Sequence, residues 1–284
     1  MKTISHILII SFLFIGFFSQ QTKAQNENED QQLNITSKDS LSIQRVAVGL
    51  KNKKKVVIKD LLGKINIIGI PDKNIMHISG QGVGEIPERA KGLKSLYGKG
   101  YIDNTHIGIY IFALEDKLYV CGASKGSETA TYNFYISKNI DLKIDYNSPF
   151  AYEDIEIKDM EGEVEVSTLN SGIKCLNITG PLVLNSVNGG IDIAISKLNQ
   201  ANPTSISLVN GELDLTLPVN TPANLEVNTL GGGIYTDFEI KVNAKKDEEL
   251  TQIGGNNEIE TKLNGGGVNL SISNINGNIY LRKK

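Results

Sequence analysis

Apolar and polar residues alternate in short bursts along most of the chain, and each burst ends in a cluster of turn-forming residues. The alternation is cleanest after residue 160. Val164, Val166 and Thr168 share one parity, as do Leu182 and Leu184, Ile206 and Leu208, Leu213, Leu215 and Leu217, and Val268, Leu270 and Ile272. Their neighbours are Glu, Asn, Ser, Asp and Thr. Successive side chains on a strand point to opposite faces, so a period of two predicts strands with one buried and one wet face. Earlier strands are expected at residues 56–58, 65–68, 107–114, 117–122, 131–137 and 155–157. One stretch reads as helix: Pro87 suits an early helical position, and Ala90, Leu93 and Leu96 or Tyr97 follow at helical spacing. It is expected as a short helical or irregular insertion near residues 85–106. The fold class predicted is all-β.

The turns carry a second pattern. An apolar residue, Asn-Gly or a close variant, then another apolar residue recurs as Leu169-Asn170-Ser171-Gly172-Ile173, Val187-Asn188-Gly189-Gly190-Ile191 and Val209-Asn210-Gly211-Glu212-Leu213. It returns as Leu230-Gly231-Gly232-Gly233-Ile234, Leu263-Asn264-Gly265-Gly266-Gly267-Val268 and Ile275-Asn276-Gly277-Asn278-Ile279. Asn and Gly tolerate positive φ, so Asn170, Gly172, Asn188, Gly189, Asn210, Gly211, Gly231, Gly232, Asn264, Gly265, Asn276 and Gly277 are expected to build sharp turns. Positions 170, 188, 210 and 231 are 18, 22 and 21 residues apart; 264 follows after 33 and 276 after 12. One fixed corner per coil of a three-sided parallel β-helix would give such a period. A meander of antiparallel hairpins is the alternative, because residues flanking an Asn-Gly turn five apart also share a face and Asn-Gly favours hairpins. Further turn residues at 179–181 and 218–222 supply a second corner per step, which favours the solenoid.

The array occupies residues 155–284 of a domain expected over 41–284. Before it, residues 25–40 are polar and acidic and read as a disordered leader. Residues 1–24 read as a signal peptide: Lys2, an apolar run over residues 7–18, and small residues at Thr22 and Ala24 before Gln25. That run is shorter than the roughly 18 residues of a membrane span, and Gln25 in place of Cys argues against a lipid anchor. The chain is therefore expected to be exported, to periplasm, cell surface or medium, with no transmembrane span after removal of the signal. Loss of Lys2 and Lys23 leaves 27 basic against 32 acidic side chains. This mildly acidic balance without a basic stripe argues against nucleic acid. Lys53-Lys54-Lys55 reads as a solvated turn.

Candidate chemistry is sparse. After residue 24 there are two histidines, His77 and His106, and two cysteines, Cys121 and Cys175, without metal or nucleophile motifs. Both cysteines fall at apolar positions of strand-like stretches and read as buried thiols, although export would permit a disulfide. Residues 80–84 lack the third glycine and following helix of a dinucleotide loop. Asp192, Asp214, Lys174 and Tyr235 occupy equivalent positions after successive turns, a mixture expected of a wet strand face. No catalytic residue, cofactor or metal ligand is assigned. Tyr97, Tyr101, Tyr110, Tyr119, Tyr132 and Tyr135 read first as half-buried strand residues and second as a stacking platform.

The strings Asp103-Asn104-Thr105-His106-Ile107-Gly108-Ile109, Val166-Ser167-Thr168-Leu169-Asn170, Asn177-Ile178-Thr179-Gly180-Pro181 and Ile275-Asn276-Gly277-Asn278-Ile279-Tyr280-Leu281 resemble the "putative adhesin" β-strand-repeat family, domain of unknown function 4097. The resemblance spans residues 60–284. A Gly would usually stand at His106 and an apolar residue at Cys175. It implies an exported, right-handed solenoid-like domain and supplies no catalytic residues. Three functions are expected in falling order: a non-enzymatic envelope protein, structural or adhesin-like, that binds a glycan, a protein or a copy of itself; an accessory binding or sensing protein of envelope stress regulation; and a carbohydrate-active enzyme built on a β-helix.

Overall fold

A computed structural model describes residues 35–40, 43–85, 87–90, 92–93, 100–240 and 257–284. The signal peptide, the leader before residue 35, Leu96 and Tyr97 lie outside the described residues. The strands begin with β1 (Ile35–Ser40), β2 (Ile43–Gly49), β3 (Lys55–Lys59), β4 (Lys64–Ile70), β5 (Ile75–Gln81), β6 (Ile109–Leu114) and β7 (Lys117–Gly122). The next are β8 (Thr131–Ser137), β9 (Asp141–Tyr146), β10 (Ile155–Lys158), β11 (Val164–Thr168), β12 (Ile173–Ile178), β13 (Leu182–Asn188) and β14 (Ile191–Ile195). The last are β15 (Thr204–Asn210), β16 (Leu213–Leu217), β17 (Ala223–Thr229), β18 (Ile234–Thr236), β19 (Asn257–Leu263), β20 (Val268–Asn276) and β21 (Ile279–Lys283).

These strands form two sheets. Sheet A has 11 strands in the order β1-β2-β5-β8-β4-β10-β12-β14-β16-β21-β18; sheet B has 10 in the order β19-β17-β20-β15-β13-β11-β9-β3-β7-β6. From β8 to β18 consecutive strands fall alternately in the two sheets. Pairing within each sheet is parallel over that range: Leu142, Val164 and Leu182 stand in line across β9, β11 and β13, as do Ile157, Cys175 and Ile193 across β10, β12 and β14. The hairpin alternative required Val166 beside Cys175 and Leu184 beside Ile193. Instead Val166 lies between Ile144 and Leu184, and Ile193 between Cys175 and Leu215. The turns at Asn170, Asn188, Asn210, Gly231 and Asn276 therefore carry the chain to the opposite sheet, whereas the one at Asn264 joins β19 to β20 within sheet B. Among the described residues, antiparallel pairing is confined to β1-β2-β5-β8, β6-β7 and β17-β19.

The inward residues of both sheets merge into one buried cluster running from Val46 to Leu281. Burial follows parity: β9 and β16 alternate without a break, with Leu142, Ile144 and Tyr146 inward on one, and Leu213, Leu215 and Leu217 inward on the other. Two opposed layers suffice to bury every inward side chain, and this accounts for two sheets where three were expected.

Spatial order departs from sequence order at both ends. β3–β4 lies between β7–β8 and β9–β10, and β20–β21 lies between β15–β16 and β17–β18. The uneven steps of 33 and 12 residues are this detour: β17–β18 is laid down first, β19 runs antiparallel along its outer edge, and β20 then crosses back to the inner side of β17. Among the described residues of the expected helical or irregular insertion, Glu88–Ala90 form a 3-10 turn and Leu93 is 73% exposed. The polar leader ends earlier than residue 40, because β1 starts at Ile35 and pairs with β2 through its backbone.

Candidate functional site

Where sheet B hands the chain to sheet A, the repeated phrases stack into one continuous corner. Asn188 donates its side-chain amide to the Asn170 Oδ1 (3.1 Å), Asn210 to Asn188 (2.9 Å) and Asn276 to Asn210 (2.9 Å), while Asn170 donates to the Pro149 carbonyl (3.1 Å). In-register parallel strands repeat at about 4.8 Å, a spacing one primary amide can bridge by donating to one neighbour and accepting from the other. The next strand pair has Gly231 at the Asn position, so the ladder stops at Asn276. Beneath it, buried polar residues satisfy corner carbonyls: Thr168 Oγ1 donates to Ser171 (2.8 Å), Ser186 Oγ to Gly189 (2.8 Å), and Asn274 Nδ2 to both Gly211 (2.9 Å) and Gly277 (3.0 Å). Sequence reading passed over Thr168, Ser186 and Asn274 because they occupy core parity. A polar residue three before a corner Gly or Ser is the signal that identifies them.

The glycines act differently from expectation. Gly211 and Gly277 have positive φ, 146° and 136°, whereas Gly172 and Gly189 do not. At Gly189, Gly211, Gly232 and Gly277 the shared demand is close approach of backbones. A Cβ on Gly189 would lie 2.2 Å from the Ser171 oxygen, on Gly211 2.8 Å from Gly189, on Gly277 1.9 Å from Gly211, and on Gly232 1.9 Å from Gly277. One file of glycines thus faces a file of carbonyls across five strand pairs. The second corner repeats the device, with Gly162 against Ile140 at 2.3 Å and Gly180 against Gly162 at 1.9 Å. Asn264 and Gly265 stand apart from this array. Asn264 donates to Val219 (3.0 Å) and Thr221 (2.8 Å) at the opposite corner, and the turn is a left-handed one, with φ of 48°, 88° and 89° at Asn264, Gly265 and Gly266.

Alongside the amide ladder runs an apolar row. Leu169, Val187, Val209, Ile275 and Leu230 follow in register across β11, β13, β15, β20 and β17. Leu169 and Val209 are half-buried, while Val187, Ile275 and Leu230 are 36%, 42% and 54% exposed. Phe150 and Tyr152 extend it beyond Leu169, on the β9–β10 connection that receives the Asn170 amide, and are 71% and 66% exposed.

The remaining candidates are structural in their contacts. Lys174, Asp192, Asp214, Tyr280 and Tyr235 form the mixed outward row anticipated on sheet A. On sheet B, Lys143 and Glu165 pair at 2.5 Å, a hydrogen bond that raises the ammonium pKa and lowers that of the carboxylate. Lys54 faces Asp116 at 3.7 Å and Lys55 approaches Glu163 and Glu165, so the lysine cluster is engaged within the sheet surface. Cys121 and Cys175 are buried in different sheets and form no disulfide. Burial pushes the Cys175 thiol up to about 12. Tyr101, Tyr110, Phe112 and Tyr119 stack on one another over the outer face of β6–β7, with centroids 4.8–6.2 Å apart, so their faces serve each other. Burial, then Cys121, raises the Tyr101 phenol to about 12. Tyr132 is buried and donates to Ile107 (2.7 Å), whereas Tyr135 is 37% exposed. His106 takes a left-handed φ of 63°, in a loop whose Asp103 accepts from the backbone of Thr105, His106 and Gly108. Among the described residues no three His, Cys, Asp or Glu side chains converge as a metal site, and no helix is long and apolar enough to cross a membrane.

Fold and corner together define an all-β protein of two large, mostly parallel sheets. Compared with known proteins, the chain matches no family model and no curated protein. Among solved structures it is similar to a crystal structure described as a "putative cell adhesion protein" from Clostridium sporogenes ATCC 15579. Identity is 14% and the TM-score 0.46, over 88% of this chain and 100% of that one.

Proposed function

We propose that the chain is an exported, non-enzymatic protein of the cell envelope, a right-handed two-sided β-solenoid that binds a glycan or protein in an adhesin-like manner along its asparagine corner. The observation that carries this reading is the exposed apolar row. Elsewhere the outward positions of β9, β11, β15, β17 and β20 hold Ser, Asn, Lys and acids, but here five strand ends in succession place Leu, Val or Ile outward. At about 4.8 Å per strand the row runs roughly 20 Å. Contiguous exposed apolar surface beside polar groups marks an interaction site, and Phe150 and Tyr152 are aromatic anchors of the sort that dominate binding energy. The corner offers amides and aliphatic groups at a fixed repeat, which recognises a partner by shape and hydrogen bonding. Right-handedness follows from the strong preference of parallel crossovers.

The test is a glycan and protein array probed with the purified protein and with the Val187→Asp/Leu230→Asp variant. Binding lost in the variant, with unchanged melting, is the expected result; equal binding by both would refute the assignment. Protease shaving of whole cells tests the surface location.

A further inference from the structure

The strand pair β20–β21 occupies a slot. β20 pairs in parallel with β15 on one side and β17 on the other, and β21 with β16 and β18. Both walls carry the frame of the inserted pair. Leu270, Ile272, Asn274 and Ile279 stand between Thr204, Ile206, Leu208 and Leu213 on one side and Leu225, Val227, Thr229 and Ile234 on the other. The slot is also selective. Asn276 donates to Asn210 (2.9 Å), Asn274 to the Gly211 carbonyl (2.9 Å), and Arg282 Nε lies 2.8 Å from both carboxylate oxygens of Asp214. With the pair withdrawn, two strand edges in each sheet would lose their hydrogen-bond partners, so the slot demands refilling.

We infer that the slot accepts the same strand pair from a second copy of this chain, so that two molecules join by reciprocal exchange of β20–β21. The hinge is residues 264–267, the left-handed turn that carries the chain from β19 across the end of β17. Straightening Asn264, Gly265 and Gly266 moves β20–β21 away as a unit. Every slot contact then re-forms between molecules, which is why exchange of an identical element is a low-cost route to a dimer. A second copy is the occupant because the Asn276, Asn274 and Arg282 contacts are particular to this sequence.

Ser207 and Ser273 stand opposite each other in register on the outer faces of β15 and β20. Neighbouring strands about 4.8 Å apart are within disulfide reach. The full-length Ser207→Cys/Ser273→Cys variant is unfolded, refolded over a range of concentrations, oxidised, and read by size exclusion and non-reducing electrophoresis. The expected result is a dimer fraction that rises with refolding concentration and is covalent until reduced. The parent chain treated identically controls for Cys121 and Cys175. Gly265→Val/Gly266→Val added to this background penalises the closed turn and should raise the dimer fraction several-fold. Monomer at every concentration, or a dimer whose engineered disulfide is intramolecular, overturns the inference. Should the valine variant fail to fold, the concentration series decides alone.

Discussion

Gly189→Ala isolates the demand the corner makes on its backbone. The added Cβ would sit 2.2 Å from the Ser171 carbonyl oxygen and 2.5 Å from its carbon, where ordinary contact begins near 3.4 Å. Both obstacles are backbone, so relief requires the β11–β12 and β13–β14 corners to separate by about 1 Å, a forced overpacking of the kind that costs about 1–3 kcal/mol. Separation also stretches the bonds that Asn188 makes across the gap, from its N–H to Leu169 (2.8 Å) and from its amide to Asn170 (3.1 Å). Each such bond contributes about 0.5–1.5 kcal/mol. The sum is about 2–6 kcal/mol, and for a chain of this size roughly 2–4 °C per kcal/mol gives a fall in Tm of about 4–24 °C. The control is Gly49→Ala, whose Cβ meets nothing within 4 Å and whose φ is not left-handed; it should stay within about 0.5 kcal/mol of the parent. Thermal and urea unfolding of the three proteins, followed by circular dichroism, make the comparison. A Gly189→Ala protein that melts with the parent would show that corner spacing does not require glycine.

Gly277→Ala should destabilise at least as much as Gly189→Ala, since it combines a 1.9 Å contact with a φ of 136° and lies between two strand pairs; the same melts check it. Asn210→Asp keeps an acceptor for Asn276 but removes the donor to Asn188, and should lower stability by about 1 kcal/mol in urea titrations, as should the same change at Asn276, which likewise removes one donor from the ladder. Stability should fall in alkali. The Cys175 thiol stays neutral in the fold up to about 12 but ionises above about 8.5 when unfolded, so its contribution is intact below that pH and is lost as pH rises towards 12. The buried Tyr146 phenol, raised by burial and donating to the Leu62 and Gly63 carbonyls, acts in the same direction. Cys175→Ala should push the alkaline midpoint upward, and a native protein whose two thiols react with a thiol reagent before unfolding would contradict their burial.

Parity, turn position and the period of the corner were legible in the sequence, because each depends on a few neighbouring residues. Alternation at Leu213, Leu215 and Leu217 fixes which face is buried whatever the strand pairs with, and Asn-Gly marks a reversal of direction in any all-β fold. The same phrase at Leu230 and at Ile275 says nothing about which stacks first on Val209, since both present Leu, Val or Ile at matching parity. Only the closed structure decides that Asn276, and not Gly231, stands beside Asn210. Parallel rather than hairpin pairing, two sheets rather than three, and the placement of Asn264 at the far corner were likewise decided by long-range contacts. The glycines show the division most plainly. Sequence located them through the φ angles that Gly tolerates, yet at Gly189 the reason is a carbonyl 18 residues away in the chain and one strand spacing away in space. A local pattern records what a residue can do, and the packing of distant strands determines which of those abilities is used.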